Sequence, residues 1–373
     1  MLWLQPWNRK TMAETDYFVD PNAGDDGTGD GSVGTPWRTI QHALDTITRD
    51  VTNGDQINIK AGTADVITAS LSLATYGTPT NTARLVFRGY TSAADDGGIG
   101  EIDGNATYRI LAATNYQFLT FRDLKIGNTG ANLILHADAQ TVVDNCELHT
   151  GTVQAVYISS GVITNSWIHD TASSYALSGG TGLVVVGNFI DSKSTSAITG
   201  PKVTVNNIVK MNTGCTTGIS VPQSGICVGN TIFDANGGTS NKGITASWYT
   251  TVINNLIVDN NGASAIGINL TAANPAHTVC GNGFHDCTTE VVETSAQVAK
   301  SNNTISAEPF TDSANQDFTP TSDVSAVYPT LYRGSDDGAN TGTTTQAQVG
   351  AAQVISAGGG GLLRVGMSGG FSG

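Results

Sequence analysis

The sequence predicts an all-β fold, a right-handed parallel β-helix, and two observations support that prediction. First, a polar residue, usually Asn, is followed at once by a short apolar stretch, and this phrase returns nine times between Asp123 and Ile305. The first residues of these phrases, here called the markers, are Asp123, Asn145, Asn165, Asn188, Asn207, Asn230, Asn255, Asn282 and Asn303. Second, the intervals between markers run from 19 to 27 residues, and a period in the low twenties is typical of a solenoid.

The residue types in these phrases favour strands over leucine-rich repeats, which need a leucine ladder and a helix or turn on the convex side. Here Leu is scarce, and Ile, Val and Phe alternate with Gly, Ser, Thr and Asn, as in short strands joined by turns. Asn tolerates the left-handed backbone of a tight corner, and stacked amides can hydrogen-bond in a ladder. Each coil would then bury its apolar face only against its neighbours, so the ends need caps.

Composition and net charge indicate which classes of partner the chain does not favour. The chain has 45 glycines among 373 residues and only 13% charged residues, which indicates a turn-rich chain with little helix. The net charge of −14 argues against nucleic acid and anionic membranes as partners. No apolar run is long enough for a transmembrane helix.

The cysteines and residues 1–14 indicate in which cellular compartment the protein is made. The five cysteines show no CxxC or His-paired metal spacing, so we expect buried free thiols and synthesis in a reducing compartment. Residues 1–14 lack the apolar core of a secretory signal. We therefore expect a protein made in a cytoplasm without an export signal.

The amino-terminal region predicts a strand, a loop, a helix and a second strand. After the strand at Tyr17–Val19 comes an Asp- and Gly-rich loop, and then Ile40, Ala43, Leu44 and Ile47 recur at helical spacing. Pro36 is expected at the start of that helix, where a missing N–H does no harm. A turn at residues 53–55 then leads into an alternating strand at 56–60.

These segments carry a resemblance to a known family. YFVDPNAGDDGTGDGS, TPWRTIQHALD and NGDQINIKAGT resemble the entry cap of the pectin-lyase-like right-handed β-helix family, in which an amphipathic helix plugs the end of the solenoid. RLVFRGYTSAADDGGIGEIDG resembles the family's next coil, and EPFTDSANQDFTPTSDVSA with QVGAAQ resembles its exit segment. The resemblance covers residues 16–353 and implies the fold. It does not imply one activity, because this frame carries lyases, hydrolases, epimerases and binding proteins.

The predicted organisation follows from these boundaries. Residues 1–15 form an amino-terminal arm with two tryptophans, and residues 16–353 form the β-helix, divided into a cap at 16–60, coils at 61–310 and an exit segment at 311–353. Residues 354–373 form a Gly-rich tail with isolated apolar residues. The arm either docks onto another protein or folds back on its own domain, and the tail is either an anchor or a segment without fixed structure.

The loop after the first strand invites a calcium interpretation, since hard cations take clustered carboxylates. Its oxygen-bearing candidates are Asp20, Asn22, Asp25, Asp26 and Asp30. The loop lacks the closing Glu of an EF-hand. The alternative is a Gly-permitted turn held by Asx hydrogen bonds, so the sequence leaves calcium open.

A second group of polar residues is a candidate catalytic site, because equivalent residues of consecutive coils stack about 4.8 Å apart. Aligning residues by their offset from the markers places the densest group over three coils, and we call this group the ridge. It consists of Glu147, His149, His169, Asp170, Asp191 and Lys193. His149 and His169 share an offset, so their side chains are expected to stack.

The ridge supports three interpretations. In a lyase, its three carboxylates hold calcium on a uronate and Lys193 removes the α-proton. In a glycoside hydrolase, two carboxylates act as acid and base. In the third interpretation these are simply the polar residues of an exposed turn. The region from Asp123 to Ile305 contains no Arg, the residue best suited to clamp a sugar carboxylate.

The expected function combines these features. A long β-helix without a signal peptide, with reduced thiols and apolar groups at both ends, indicates a virion-associated tailspike, fibre or decoration protein. Residues 1–15 and 354–373 would contact other virion proteins, and the solenoid would bind cell-surface polysaccharide, with a homotrimer as one arrangement. The alternative is a polysaccharide lyase or glycoside hydrolase acting on acidic polysaccharide, and the sequence leaves the question of catalysis open.

Overall fold

The structure is a right-handed parallel β-helix, which confirms the predicted fold class. A computed structural model of the chain describes residues 14–112, 116–127, 134–151, 154–171, 174–235, 241–259, 265–271, 277–293, 298–304, 310–312 and 317–320. Residues 1–13 of the predicted arm, most of the predicted exit segment and the whole tail at 354–373 lie outside these ranges. Within the described residues, no helix is long and apolar enough to cross a membrane.

Each complete coil contributes a strand to three parallel sheets, which we call A, B and C in the order in which the chain visits them. Sheet A contains β1 Thr15–Val19, β2 Asp55–Lys60, β4 Leu85–Tyr90, β6 Leu119–Arg122, β9 Thr141–Asp144, β16 Val203–Val205, β19 Ile226–Val228 and β22 Thr251–Ile253. Sheet B contains β3 Asp65–Val66, β5 Gly100–Asp103, β7 Leu124–Gly127, β10 Glu147–Gly151, β12 Trp167–Thr171, β14 Phe189–Ser192, β17 Ile208–Met211, β20 Thr231–Asp234 and β23 Leu256–Asp259.

Sheet C closes the coil. It contains β8 Leu135–Ala137, β15 Ser196–Thr199, β18 Thr217–Val221, β21 Lys242–Ala246, β24 Ile266–Leu270 and β26 Thr289–Val292. Four long strands bend from one sheet into the next: β11 Gln154–Thr164 and β13 Tyr175–Val186 run from C into A, and β25 His277–His285 and β27 Val298–Thr304 run from A into B. A separate antiparallel hairpin joins β28 Phe310–Asp312 to β29 Asp317–Pro320.

The core is a narrow stack of aliphatic side chains inside the coils. In sheet A, for example, Val143, Ile163 and Val185 occupy the same position of successive coils and are fully buried. Sheets B and C repeat the arrangement with residues such as Leu148, Ile168 and Ile198. Because each coil buries its apolar face against the coils above and below, the register of one strand determines the register of the next.

The amino-terminal cap contains α1, which spans Ile40–Thr46 and buries Ile40, Ala43 and Leu44. The helix is where the resemblance places it, but Pro36 is not at its first position as expected. Thr39 is the cap residue, and its side chain accepts a hydrogen bond from the His42 N–H at 3.2 Å. The boundary of the arm also differs slightly, since β1 begins at Thr15 and pairs with β2.

The markers occupy two different positions in the coil. The first three markers are corner residues, and the later ones follow the corner. Asp123, Asn145 and Asn165 have φ values of 54°, 52° and 50° and form the left-handed corner between sheets A and B. From Asn188 onward the corner residue is the one before the marker, such as Gly187 with φ 66° or Asn206 with φ 53°. Asn303 lies one position later still, since it pairs with Gly283 rather than with Asn282. The offsets from the markers are therefore wrong by one residue from Asn188 to Asn282 and by two residues at Asn303.

The later markers build the predicted amide ladder. Asn207 donates to Asn230 Oδ1 at 2.9 Å, and Asn230 donates to Asn255 Oδ1 at 2.9 Å. The ladder runs through Asn188, Asn207, Asn230, Asn255 and Asn282, all at least 99% buried. Each amide also caps backbone carbonyls, so no ladder amide is left without a partner at the buried corner.

All five cysteines are free thiols, as expected. Cys146, Cys215 and Cys227 are buried, whereas Cys280 and Cys287 are half-buried. Burial raises the pKa of the Cys215 thiol to about 12, so that group behaves as a small apolar residue.

Candidate active site

The ridge lies on the outer face of sheet B, on three neighbouring strands. The register pairs Glu147 of β10 with Trp167 of β12, and His149 with His169. The rings of the two histidines are stacked, with centroids 5.7 Å apart and planes at 16°. This confirms the stacking that the shared offset predicts.

A chain of ionic contacts runs along the ridge. Glu147 Oε1 lies 3.9 Å from Lys125 Nζ on one side and 3.1 Å from His169 Nε2 on the other. Lys125 also lies 3.9 Å from Glu101 one coil earlier. Glu101, Lys125 and Glu147 occupy the same position of successive coils, so alternating charges stack at strand spacing, where opposite charges attract.

Asp170 extends the chain outward through a β-bulge. Two residues of β12, His169 and Asp170, lie opposite one residue of β14, and Asp170 has φ 53°. The bulge brings its carboxylate back onto its neighbour, so that Asp170 Oδ2 lies 2.8 Å from His169 Nδ1. Lys193 Nζ lies 3.6 Å from Asp170 Oδ1, and both side chains are more than half exposed. Bulges re-aim side chains in this way beside functional sites.

Asp191 takes a different set of partners. Its carboxylate lies 3.6 Å from Lys210 Nζ and accepts a hydrogen bond from the Asn212 amide. The structure therefore joins Glu147, His169, Asp170 and Lys193 into one chain of contacts and stacks His149 upon it. Asp191 belongs to a neighbouring pair on the next coils.

Gly127 explains the position of the His149 ring. Gly127 precedes His149 in the same column, and a Cβ placed on it would lie 2.5 Å from His149 Nε2. The imidazole therefore leans over the glycine and occupies the space that a side chain there would need. His149 is half-buried as a result.

The environment shifts the pKa values of the two stacked histidines in opposite directions. Burial is the main effect at His149 and lowers its pKa, with the Lys125 and His169 charges adding to the fall and Glu147 opposing it. At His169 burial also favours the neutral ring, but hydrogen bonds to Glu147 and Asp170 outweigh it and raise the pKa. The environment therefore favours the neutral form at His149 and the protonated form at His169, a difference that suits one ring to act as a base and the other as an acid.

The two carboxylates that hold His169 are kept ionised. Burial alone would raise the pKa of Glu147, but the hydrogen bond from His169 and the charge of Lys125 lower it overall. The same balance of burial against the His169 hydrogen bond lowers the pKa of Asp170.

An aromatic surface adjoins the imidazoles. The Trp167 ring stacks on His169 with centroids 3.8 Å apart, and Phe189 follows Trp167 in the next coil at 6.4 Å. Both aromatic rings are partly exposed on the outer face rather than part of the core. Further along the same face Phe233, Leu256 and Val258 are almost completely buried, so among the described residues the polar ridge ends near Lys210.

Sequence reasoning missed several members of this site. Lys125 occupies the same strand position as Glu147 and Trp167. All three lie at the same offset from their markers, so the offsets could have identified Lys125. Phe189 and Lys210 fall in coils where the offset is wrong by one residue. Glu101 precedes the first marker, so no offset reached it.

The amino-terminal loop uses its carboxylates to organise the backbone. Asp20 accepts from the N–H groups of Asn22 and Ala23 and pairs with Lys60 at 2.7 Å. Asp26 accepts from the backbone of Arg38 and Thr39 ahead of α1. Asp25 and Asp30 accept from nearby N–H and hydroxyl groups in the same way. Within the part of the chain that the structure describes, no group of three His, Cys, Asp or Glu residues is arranged to hold a metal ion.

Comparison with known proteins supports the fold and leaves the activity open. No protein-family model and no curated protein matches the chain. The chain is similar to a solved glycoside hydrolase, with a TM-score of 0.61 and 8% identity over 78% of this chain and 96% of that one. It is also similar to the crystal structure of the pectate lyase Pel9A, with a TM-score of 0.59 and 16% identity over 91% of this chain and 97% of that one. At such identities the similarity concerns the fold, which is a β-helix of the kind found in polysaccharide lyases and glycoside hydrolases.

Proposed function

We propose that this protein is a polysaccharide lyase that cleaves an acidic polysaccharide by β-elimination at the ridge. The observation that carries the proposal is the stacked pair His149 and His169, whose pKa values are shifted in opposite directions. Such a pair places a ring that favours the neutral form beside a ring that favours the protonated form on the outer face of sheet B. The resemblance in fold to lyases and glycoside hydrolases supports the same class over a purely structural role.

His149 is the proposed base. Its neutral imidazole accepts the proton α to the uronate carboxylate, and the electrons left on that carbon form a double bond as the β C–O bond breaks. His169 then gives the Nδ1 proton, which it shares with the exposed Asp170, to the leaving oxygen. One proton is taken up and one is released, so the step is balanced without a further reactant.

Lys193 has a different role from the base that the sequence suggested. It is exposed and forms an ion pair with Asp170, with 3.6 Å between Lys193 Nζ and Asp170 Oδ1. An ammonium on a flexible stem is instead suited to pair with the substrate carboxylate and make the α-proton more acidic. Lys125 supplies a second positive charge on the other side of Glu147.

The ionised carboxylates favour elimination over hydrolysis. A hydrolase that works with two carboxylates needs one of them protonated, with a raised pKa. Here the pKa values of both Glu147 and Asp170 are lowered. The same two carboxylates orient His169, so we assign them a positioning role.

The test is an assay of the full chain on acidic and neutral polysaccharides, following both unsaturated-product absorbance and new reducing ends. We expect both signals together on an acidic polymer. We expect His149→Asn to lower kcat/KM at least about 100-fold, the lower end for general acid–base catalysis. His136→Asn is the matched control, because His136 is a half-buried histidine packed on Tyr157 in sheet C.

Each outcome of the assay decides between mechanisms. Reducing ends without unsaturated product would show hydrolysis and overturn the elimination mechanism. Equal loss in the His149 and His136 variants would show that the ridge is not the site. No activity on any polymer, together with saturable glycan binding, would replace catalysis with recognition.

The virion-associated role remains a separate prediction, as do contacts of residues 1–15 and 354–373 with other virion proteins. Mass spectrometry of purified particles from the source tests it. Intact chain in the particles would support display on a virion, whereas protein found only free in solution would contradict it.

A further inference from the structure

The outer face of sheet A is aliphatic and partly exposed, whereas the apolar outward residues of sheet B, such as Phe233 and Val258, are buried. Two columns of side chains point outward from sheet A, on either side of the inward column that begins at Val143. Their aliphatic members are Val142, Val162, Val184, Val203 and Ile226 in one column, and Val186, Val205, Val228 and Ile253 in the other. Eight of these are partly exposed, and Ile226 is 41% exposed. We call these nine residues the aliphatic face.

Both sides of sheet A are therefore apolar over the same strands. Runs such as LVVV at 183–186 and ICV at 226–228 match parallel strands that are buried on both sides. The equivalent outward column of sheet C carries Tyr157, Ser178, Thr199, Ser220 and Thr245, so outward apolar columns are not a general property of these coils.

Two exposed aromatic residues border the aliphatic face. Trp248 and Tyr249 are each 55% exposed in the turn before β22. The Ser224 N–H donates to the Trp248 carbonyl at 2.7 Å, which places this turn beside the one that leads into Ile226. Exposed aromatic residues next to an apolar patch are the usual energetic anchors of protein interfaces.

Charge permits a second copy of the chain as the occupant. Each copy carries a net charge of −14, so the repulsion between two copies is smallest when they meet through a surface without charged side chains. The outward positions of sheet A from Val162 to Cys280 carry no charged side chain, and the nearest lysine, Lys202, donates to the Gln223 carbonyl at the border. The face then becomes charged at its amino-terminal end, where Arg122 pairs with Asp144 at 3.1 Å.

Shape and area indicate how the copies meet. Six strands at about 4.8 Å give a patch of about 30 Å by 15 Å, or about 900 Å² for two copies. That is close to the roughly 1,000 Å² at which specific interfaces begin, so we expect a reversible dimer. One patch per chain is enough for a two-fold contact, whereas a ring needs two different patches.

We propose that two copies of this chain associate face to face through the aliphatic face, with Trp248 and Tyr249 at its border. The sheets of the two copies would pack about 10 Å apart, as two sheets do in a sandwich. This proposal does not depend on the proposed lyase activity, since the ridge lies on sheet B.

The experiment measures the mass of the full chain by light scattering and by sedimentation velocity over a concentration series. We expect one chain at low concentration and two chains by about 200 µM, as a small specific interface allows. Val205→Lys and Ile226→Lys place a charge on the face and should weaken association at least about tenfold. Thr199→Lys and Ser220→Lys, outward on sheet C, are matched controls that should leave it unchanged.

Three results would overturn the proposal. The first is a single-chain mass at every concentration. The second is a mass of three chains, which contradicts the two-fold arrangement. The third is unchanged association in both face variants, which would place the contact elsewhere on the chain. Circular dichroism of each variant separates loss of association from loss of fold, and the second face variant remains informative if one fails to fold.

Discussion

Sheets A and B of this β-helix share their construction and differ in what they present outward. Both repeat at strand spacing and both bury an aliphatic inner column. Outward, sheet B stacks Glu101, Lys125 and Glu147 in one column and the two imidazoles in the next column, whereas sheet A stacks valines. Because stacking sets equivalent residues side by side, a bias at one position of the repeat becomes a continuous surface. This solenoid therefore carries its cluster of titratable groups on sheet B and its partly exposed aliphatic surface on sheet A.

The largest expected effect comes from the corner that joins the two sheets. Asn230 donates to the Thr204 and Val228 carbonyls and to Asn255, and it accepts from Asn207. Asn230→Ala leaves several of these buried groups without partners and should cost about 3 kcal/mol of unfolding free energy. Asn22→Ala, at an exposed turn, should cost less than about 0.5 kcal/mol. Equal losses in denaturant titrations would contradict a stabilising role for the ladder.

The next prediction changes the ridge while leaving the aliphatic face alone. In Gly127→Ala the new Cβ meets the carbonyl and ring of His149, so the imidazole must move. We expect kcat to fall about tenfold or more, because small displacements of a catalytic group are costly. Gly34→Ala is the control, since a Cβ there meets nothing within 4 Å. Changed dimerisation in Gly127→Ala would mean that the two faces are not independent.

A smaller effect is expected in the pH profile of activity. His149 must be neutral and has a lowered pKa, so activity should rise as the pH passes that value from below. His169 must be protonated and has a raised pKa, so activity should fall as the pH passes that value from below. The result is a bell-shaped profile whose two limbs lie on either side of the ordinary histidine pKa, which is about 6.5.

Asp170→Asn tests whether His169 sets the alkaline limb of the pH profile of activity. The substitution removes one negative charge from His169 while Glu147 remains, so the raised pKa should fall and the limb should move to lower pH. Asn suits the left-handed backbone at this position. Asp286→Asn is a close control, because Asp286 has φ 55° and lies beside His285 in a later coil. An unmoved limb would remove His169 from the proton-transfer step.

The smallest effect is expected from calcium. The ridge carboxylates are each paired with a cationic side chain, and those of the amino-terminal loop are bonded to backbone N–H groups or hydroxyls. Chelation should therefore leave activity unchanged. Thermal unfolding with added calcium tests the loop, and a clear rise in Tm that Asp25→Asn abolishes would establish a site there.

Some of this organisation follows from local pattern alone. The repeat of polar corner and β-branched strand predicted the coils, and the shared offset of His149 and His169 predicted their stacking, because neighbouring coils of equal length keep one register. The helical spacing of Ile40, Ala43 and Leu44 likewise predicted the cap. In each case the relevant spacing lies within one or two coils.

The rest required the tertiary structure. The sequence pattern of a polar residue before an apolar stretch is the same for two different positions in the coil. Asn165 is the corner residue, whereas Asn188 is the ladder amide one position after the corner. The bulge that places Asp170 on His169 depends on two strands pairing with unequal lengths. A run of valines fits strand geometry with either set of side chains outward, so no alternation marks the aliphatic face. By itself the sequence determined the coil and its repeat, and only the packing of coil on coil decided which side chains meet on each face.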